Sequence, residues 1–420
     1  MATAFFAELG AALVQRDHIV KRINFNAGDR LFWRLPDSVS YRGTLADWPR
    51  AFENYLSEWR TTDVVLFGDW RPFHKEAIRI ARLRGLLVHV FEEGYLRPSW
   101  ITLEQGGVNK NSSLPRDPAW YRRTARSLPP WQDGRAVTGS FRVRALNDVI
   151  YHSWSGVFAW RYPHFRTHLP VPPFLEYACW IRRFVRASSI QRRSEEALRA
   201  LSASGRRYFL VPLQLDSDSQ LRVNSPFQGL GPAIDVILAS FARHAPADSA
   251  LLLKEHPLDN QLVDWRAQAN GTAQRLGIGH RVFYLVGGDA KSLIEESLGV
   301  VTVNSTAGLL AVLLGRPVKT LGRPIYDMSG LTFQPHLDRF WHERTAPDAA
   351  LVDDFRRVVV DRTQINGDFF SAEGLRLAVA GAMARFEAAA RQHPVSRASA
   401  LSAATPLLPA EAIAAQSGAD

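Results

Sequence analysis

The sequence predicts an α/β protein, GT-B-like in layout, with two Rossmann-like domains facing a cleft. Three observations predict it. Apolar runs of strand length recur along the chain, separated by stretches with helical spacing. The alternation is most regular after residue 206, where strand and helix follow one another as in a doubly wound sheet. Clusters of acids, His, Ser and Asn follow the apolar runs, and ligands of open α/β sheets bind beyond the carboxyl ends of strands. The predicted division is an N-terminal α/β domain over 1–195, a C-terminal α/β domain over 196–390, and a flexible Ala/Ser/Pro-rich tail over 391–420.

In the first half, Ile23 to Trp33 reads as a strand entering a tight loop at Asn26, Gly28 and Asp29. Tyr41 to Arg60 has helical spacing at Trp48, Phe52, Tyr55 and Trp59. Asp63–Gly68 is a short buried strand. A helix follows from Pro72 to Arg84, with proline in its first turn and Gly85 at its end. The apolar run Leu86–Phe91 completes a β-α-β unit, which predicts parallel pairing. That run stops on Glu92, Glu93 and Gly94. A loop follows with Tyr95, Arg97, Trp100, Thr102, Glu104, Asn109, Asn111 and Ser112.

Residues 114–200 are rich in Pro, Trp and Arg and then turn helical. Glu176 to Arg193 places Tyr177, Trp180, Ile181, Phe184 and Val185 on one face and most of its arginines on the others. The simpler reading packs that apolar face on the protein body; the other lays it on an anionic membrane. In the second half, strands are predicted at 206–215, 250–257, 281–286, 299–305 and 317–322. Helices fall near 232–243, 260–276, 289–298 and 306–314, and Ser371–Arg391 is a closing helix.

The chain has 420 residues, with 51 Lys and Arg against 41 Asp and Glu, a formal charge of +10. A basic surface favours anionic partners. No zinc-finger spacing or aromatic RNA-binding motif occurs, so nucleic acid is not expected. One cysteine, Cys179, excludes an intrachain disulfide or a Cys-based metal site and fits a reducing cytosol. The N-terminus lacks the charged start and long apolar core of a signal peptide. No apolar run approaches the roughly 18 residues of a membrane span, which leaves peripheral attachment open.

Four clusters carry chemistry. Glu92 and Glu93 at a strand end are placed for proton transfer, although solvated loop acids look the same in sequence. Asn304, Ser305 and Thr306 begin a helix, with Gly308 allowing close approach; they suit a phosphate or a plain N-cap. Lys254, Glu255 and His256 end a strand stopped by Pro257. His256 there is either a donor to a leaving phosphate or a structural residue. Gln214, Asp216 and Asp218 follow a strand, where Asp-x-Asp fits a metal, a nucleophile or a solvated loop. Arg323, Tyr326, Asp327 and Gln334 follow the last strand. No HExxH, GxSxG, GxGxxG or Walker loop is present.

With INFNAGD, LFGDWRPFHKEA, VFEEGYLRPSWITLEQGGVN, LQLDSD, KEHP, VNSTAGLLAVLLGRPVKTLG, IYDMSGLTFQ and DRFW assembled, the chain resembles the bacterial capsule polysaccharide biosynthesis and export family of the KpsS/LipB type. The resemblance runs from about residue 23 to 341. It implies a retaining β-Kdo transferase that uses CMP-Kdo without a metal or other cofactor. It also implies that the enzyme starts the Kdo linker on a phosphatidylglycerol-type lipid, since the motif set occurs once. Its place would be cytoplasmic, peripheral on the inner face of the inner membrane, near the capsule synthesis and export machinery. Carried over by motif, Asp218 is the nucleophile, Glu92 the acid/base with Glu93 as alternative, and His256 lies near the CMP phosphate. Asn304, Ser305 and Thr306 bind that phosphate or the sugar carboxylate. Gln214, Lys254, Arg97, Arg323 and Tyr326 are further candidate substrate contacts. A non-catalytic export or polysaccharide-binding protein and a GT-B-fold sugar-nucleotide epimerase are the competing readings.

Overall fold

The computed structural model describes residues 2–137, 139–167, 173–216, 221 and 225–392. In chain order the strands are Arg22–Asn24 (β1), Ser38–Ser40 (β2), Asp63–Phe67 (β3), Leu87–Glu93 (β4), Trp100–Gln105 (β5), Arg207–Pro212 (β6), Ser249–Lys254 (β7), Val282–Leu285 (β8), Val300–Thr302 (β9), Val318–Thr320 (β10) and Gln364–Asn366 (β11). They form a four-stranded sheet β11-β5-β4-β3, a five-stranded sheet β10-β9-β6-β7-β8 and a parallel pair β1-β2.

The five-stranded sheet is parallel throughout. Its strand β7, which lies between β6 and β8, reads Ser-Ala-Leu-Leu-Leu-Lys and is buried at every position. A run without polar alternation is what a strand covered on both faces requires. One face packs Leu251 and Leu253 on Ile234, Ile237 and Phe241 of the helix Leu230–His244. The other packs Ala250 and Leu252 into a core that also takes Tyr95, Leu96 and Tyr121 from the first half. The two α/β units therefore share apolar packing behind the cleft, and a guanidinium bond from Arg116 Nη2 to the Arg323 carbonyl at 2.8 Å ties their loops.

The predicted β-α-β unit is present: β3 and β4 are parallel, with the helix Pro72–Leu83 between them. The stretch after it differs from expectation. What reads as a polar loop is a strand, β5, antiparallel to β4. Its Thr102 and Glu104 are only 0% and 2% exposed. Hydrogen bonds let these polar side chains occupy buried positions. The turn joining β4 to β5 needs Gly94, because a Cβ there would strike the Trp100 carbonyl oxygen.

The chain end also differs from the 196–390 division. β11 pairs antiparallel with β5, and the helix Ala372–Gln392 packs on the helix Phe5–Val14. Phe5, Leu9, Phe91, Ile101, Phe369, Ala378 and Met383 form that core. The last segment thus crosses back to complete the first sheet. A three-residue edge strand such as β11 carries too little pattern to reveal its partner.

The predicted helix Glu176–Arg193 is two helices, Pro173–Val185 and Ala187–Ala203. The expected apolar face is divided: Tyr177 and Trp180 are half-buried, and of the arginines only Arg183 is. Arg182 bonds the Gln261 carbonyl, and Arg183 approaches Glu255 at 4.0 Å. Ile181, Phe184 and Val185 face outward, 65%, 64% and 81% exposed. Among the described residues no helix is long and apolar enough to cross a membrane.

Candidate active site

Parallel pairing of β3 with β4 brings the ends of both strands to one edge, Phe67 beside Phe91. Glu92 lies half-buried there, its Oε1 accepting from the Glu93 amide at 3.0 Å. A Cβ on Gly68 would stand 3.4 Å from Glu92 Oε2 and 3.3 Å from the Trp70 indole nitrogen, so the glycine leaves room beside the carboxylate. Glu93 is engaged differently. Arg144 Nη1 stands 3.0 Å from its Oε1, and Arg97 Nη2 is 3.8 Å from Oε2.

The loop beyond β5 is held by a buried carboxyl. Tyr95 donates to Glu104 at 2.7 Å, Ser112 donates to its other oxygen, and the Asn109 amide donates to the Tyr95 hydroxyl at 2.6 Å. Burial lifts the Glu104 pKa to about 7, against the bonds from Ser112 and Tyr95.

In the second unit, β6, β7 and β9 end at one edge. Gln214 Oε1 accepts from the Asn304 amide at 2.8 Å, fixing the turn after β9 to the turn after β6. Ser305 caps the helix Thr306–Leu313 by accepting from Ala307. Tyr326 is buried beneath this helix start and donates to the Ser305 carbonyl at 2.6 Å. Gly308 makes room for it, since a Cβ there would meet the Tyr326 hydroxyl. Gly322 likewise admits the Asn304 side chain. The positive dipole end of this helix favours an anion.

Beside it, Glu255 is occupied by Gln261 Nε2 and the Tyr284 hydroxyl, both at 2.9 Å. His256 is not used that way. Its Nδ1 accepts from the Leu258 amide at 3.1 Å, which leaves the proton on Nε2 and makes that atom a donor. Burial, and then Arg97, Lys254, Arg144 and Arg183, pull its pKa down to about 4. Arg97 and Arg144 belong to the first unit and also bracket Glu93. The acid-bearing edge of one sheet and the histidine-bearing edge of the other therefore face each other across the cleft.

Residues 62–370 match the family described as capsule polysaccharide biosynthesis protein. Over 371 residues the chain is 33% identical to the capsule polysaccharide export protein KpsS of Escherichia coli, covering 87% of this chain and 94% of KpsS. It is 34% identical over 380 residues to the capsule polysaccharide modification protein LipB of Neisseria meningitidis, covering 87% and 89%. The chain belongs to the capsule polysaccharide biosynthesis family. A solved structure of Thermosulfurimonas dismutans KpsC, a beta Kdo 2,7 transferase, aligns with a TM-score of 0.42 at 13% identity, covering 88% of this chain and all of that one.

Within this capsule-family chain, the candidate residues separate by what they touch. Glu92, Glu93, Arg97, His256, Asn304, Ser305 and Thr306 lie at the facing strand ends. Gln214 and Tyr326 are buried supports for the Asn304–Thr306 turn rather than surfaces for a ligand. Lys254 is buried, and desolvation lowers its pKa against the pull of Asp289 and Glu255. Arg323 is exposed, and its backbone carbonyl serves Arg116. Asp218 lies outside the described residues. Its neighbour Asp216 accepts from the Leu230 amide at 2.8 Å and so caps the helix Leu230–His244. Sequence reading missed Arg144, which reaches the site from the helix Phe141–Val157, in a stretch with no strand-end pattern.

The His256 environment has a pH consequence. Its folded pKa of about 4 lies below the ordinary 6.5, so the unfolded chain takes the proton first. Its contribution to stability is complete above about 6.5 and falls as pH drops toward 4. Glu104 acts oppositely: raised from 4.5 to about 7, it favours folding at low pH and loses that contribution as pH rises through this window. Titration of the imidazole followed by NMR is expected to give His256 a pKa below 5, and a normal value near 6.5 would refute the cleft-facing charge arrangement.

Proposed function

We propose that this chain transfers Kdo from CMP-Kdo to a hydroxyl of an anionic, phosphatidylglycerol-type lipid, starting the Kdo linker of a capsular polysaccharide. The observation that carries this reading is His256, a fixed Nε2–H donor under the influence of Arg97 and Arg144, the two guanidinium groups that bracket Glu93 beside Glu92.

In the first displacement the Asp218 carboxylate attacks the anomeric carbon. The bond to the CMP phosphate oxygen breaks, and CMP leaves with the electron pair, its oxygen receiving a hydrogen bond from His256. The positive dipole end of the Thr306 helix takes the remaining phosphate charge. In the second displacement Glu92 accepts the proton of the lipid hydroxyl, whose oxygen attacks the same carbon and expels Asp218. Two displacements retain the configuration. No general acid is required for departure of CMP, which suits a carboxylate acting as base.

The membrane reading rests on Ile181, Phe184 and Val185. Their outward exposure beside Arg182 and Arg186 fits seating on the anionic inner leaflet, near the capsule machinery. The test is mass spectrometry of lipids after incubation with CMP-Kdo and monoacyl phosphatidylglycerol. The expected product is the lipid plus one Kdo unit, with release of CMP. CMP-Kdo left intact would sink the reading. Release of CMP and free Kdo without a lipid product would refute the acceptor assignment.

A further inference from the structure

Glu92 and Glu93 also border a cavity of about 1910 Å³ inside the first unit. Sites for drug-sized ligands occupy roughly 300–1,000 Å³. A sugar or a glycerol headgroup would therefore leave most of this volume unfilled. The lining is mixed: Phe6, Leu9, Leu13, Trp33, Met383 and Phe386 supply apolar wall, among charged groups that include Lys21, Arg22, Asp63 and Glu387. At the carboxylate end stands Arg71, whose Nε is buried without a hydrogen-bond partner among the described residues. A buried guanidinium nitrogen in that state calls for an anionic acceptor.

One wall is the helix Phe141–Val157. Its inward Tyr151 accepts from Asn26 at 2.7 Å and donates to Asp29 at 3.0 Å, which fixes the helix to the turn at residues 26–29. Its outward Phe141, Leu146 and Val157 are exposed, with Arg142, Arg161 and Arg166 exposed on the same segment. Thus a single helix separates the cavity from a surface that is both apolar and basic.

We propose that the cavity seats the hydrocarbon chain of an anionic glycerophospholipid, with its phosphate on Arg71 and its free hydroxyl at Glu92. The exposed apolar face of the Phe141–Val157 helix, with Arg142 on it and Arg161 and Arg166 just beyond its end, lies against the membrane from which that lipid is taken. This deepens the acceptor half of the proposed reaction and rests on Glu92 being its base.

The experiment uses the full chain without CMP-Kdo. Monoacyl phosphatidylglycerols of increasing chain length, each below its micelle concentration, are titrated by calorimetry. Affinity is expected to rise roughly fourfold per added methylene until the chain fills the cavity. A chain-brominated lipid is expected to quench tryptophan fluorescence, because Trp33, Trp48, Trp59 and Trp70 line the space. Leu13→Trp, which narrows the cavity, is expected to weaken the longest lipid more than the shortest. If that variant does not fold, the chain-length series on the unaltered protein decides. Equal binding of glycerophosphoglycerol and its acylated form, or affinity independent of chain length, would overturn the proposal. So would binding to vesicles with none to monomeric lipid. Because no donor is present, chain-length-dependent binding by a protein that transfers no sugar would refute the proposed reaction and leave the cavity assignment standing.

Discussion

Glu92→Gln is expected to lower kcat for transfer by about 10²–10⁴-fold, the usual span for loss of a general base. Glu93→Gln is expected to act mainly on KM. The difference comes from where each carboxylate lies. Glu93 is bracketed by Arg144 at 3.0 Å and Arg97 at 3.8 Å, so its charge is committed to placing two guanidinium groups at the cleft. Glu92 instead sits beside the Gly68 gap and borders the cavity that opens at the strand ends. Freeing Arg97 and Arg144 by neutralising Glu93 disturbs charge around His256 without removing the base. Steady-state kinetics of both variants, with a pH profile of kcat, separates the roles. The acidic limb of the profile is expected to disappear with Glu92→Gln and to persist with Glu93→Gln. An unaltered kcat for Glu92→Gln would transfer the base assignment elsewhere.

Asp218→Ala is expected to abolish turnover and the covalent sugar adduct that intact-protein mass spectrometry would detect on the unaltered enzyme. The proposed choice of Asp218 over Asp216 rests on the family motif, and the cap gives Asp216 another role. Gly229 precedes the helix Leu230–His244 and has no side chain to satisfy its first amides, so Asp216 reaches 14 residues along the chain to do it. Asp216→Ala is accordingly expected to cost about 1–3 kcal/mol of stability, the range for hydrogen bonds to a charged group or a lost cap, with kcat nearly unchanged. Thermal unfolding and initial rates measure the two effects separately. A stable Asp216→Ala protein without activity, together with an active Asp218→Ala protein, would reverse the assignment.

The strand ends were legible because a buried strand announces its own limits. β7 is apolar from Ala250 until Lys254, and β4, broken only by His89, until Glu92, so the residues that follow must lie at the sheet's edge. Nothing comparable marks β5. Its Thr102 and Glu104 are buried by partners drawn from Tyr95, Ser112 and Gln364, and such pairing is not visible in a hydrophobicity pattern. The Glu176–Arg193 segment was misread for a related reason. Helical spacing sorts residues into faces but does not say how much of each meets protein; here Arg182 and Arg183 reach Gln261 and Glu255 while Ile181, Phe184 and Val185 stay exposed.

The sequence by itself determined the two-unit α/β plan, the strand ends that carry Glu92, His256 and Asn304, and the family resemblance borne by its ordered motifs. Each of these is written in local periodicity or in short stretches of adjacent residues. Only the tertiary structure decided that Glu93 pairs with Arg144, that Asp216 is a cap, and that residues 364–392 return to the first sheet. It alone revealed the cavity behind Glu92. These depend on contacts between residues far apart in the chain, where burial and charge act through space and leave no local pattern to read.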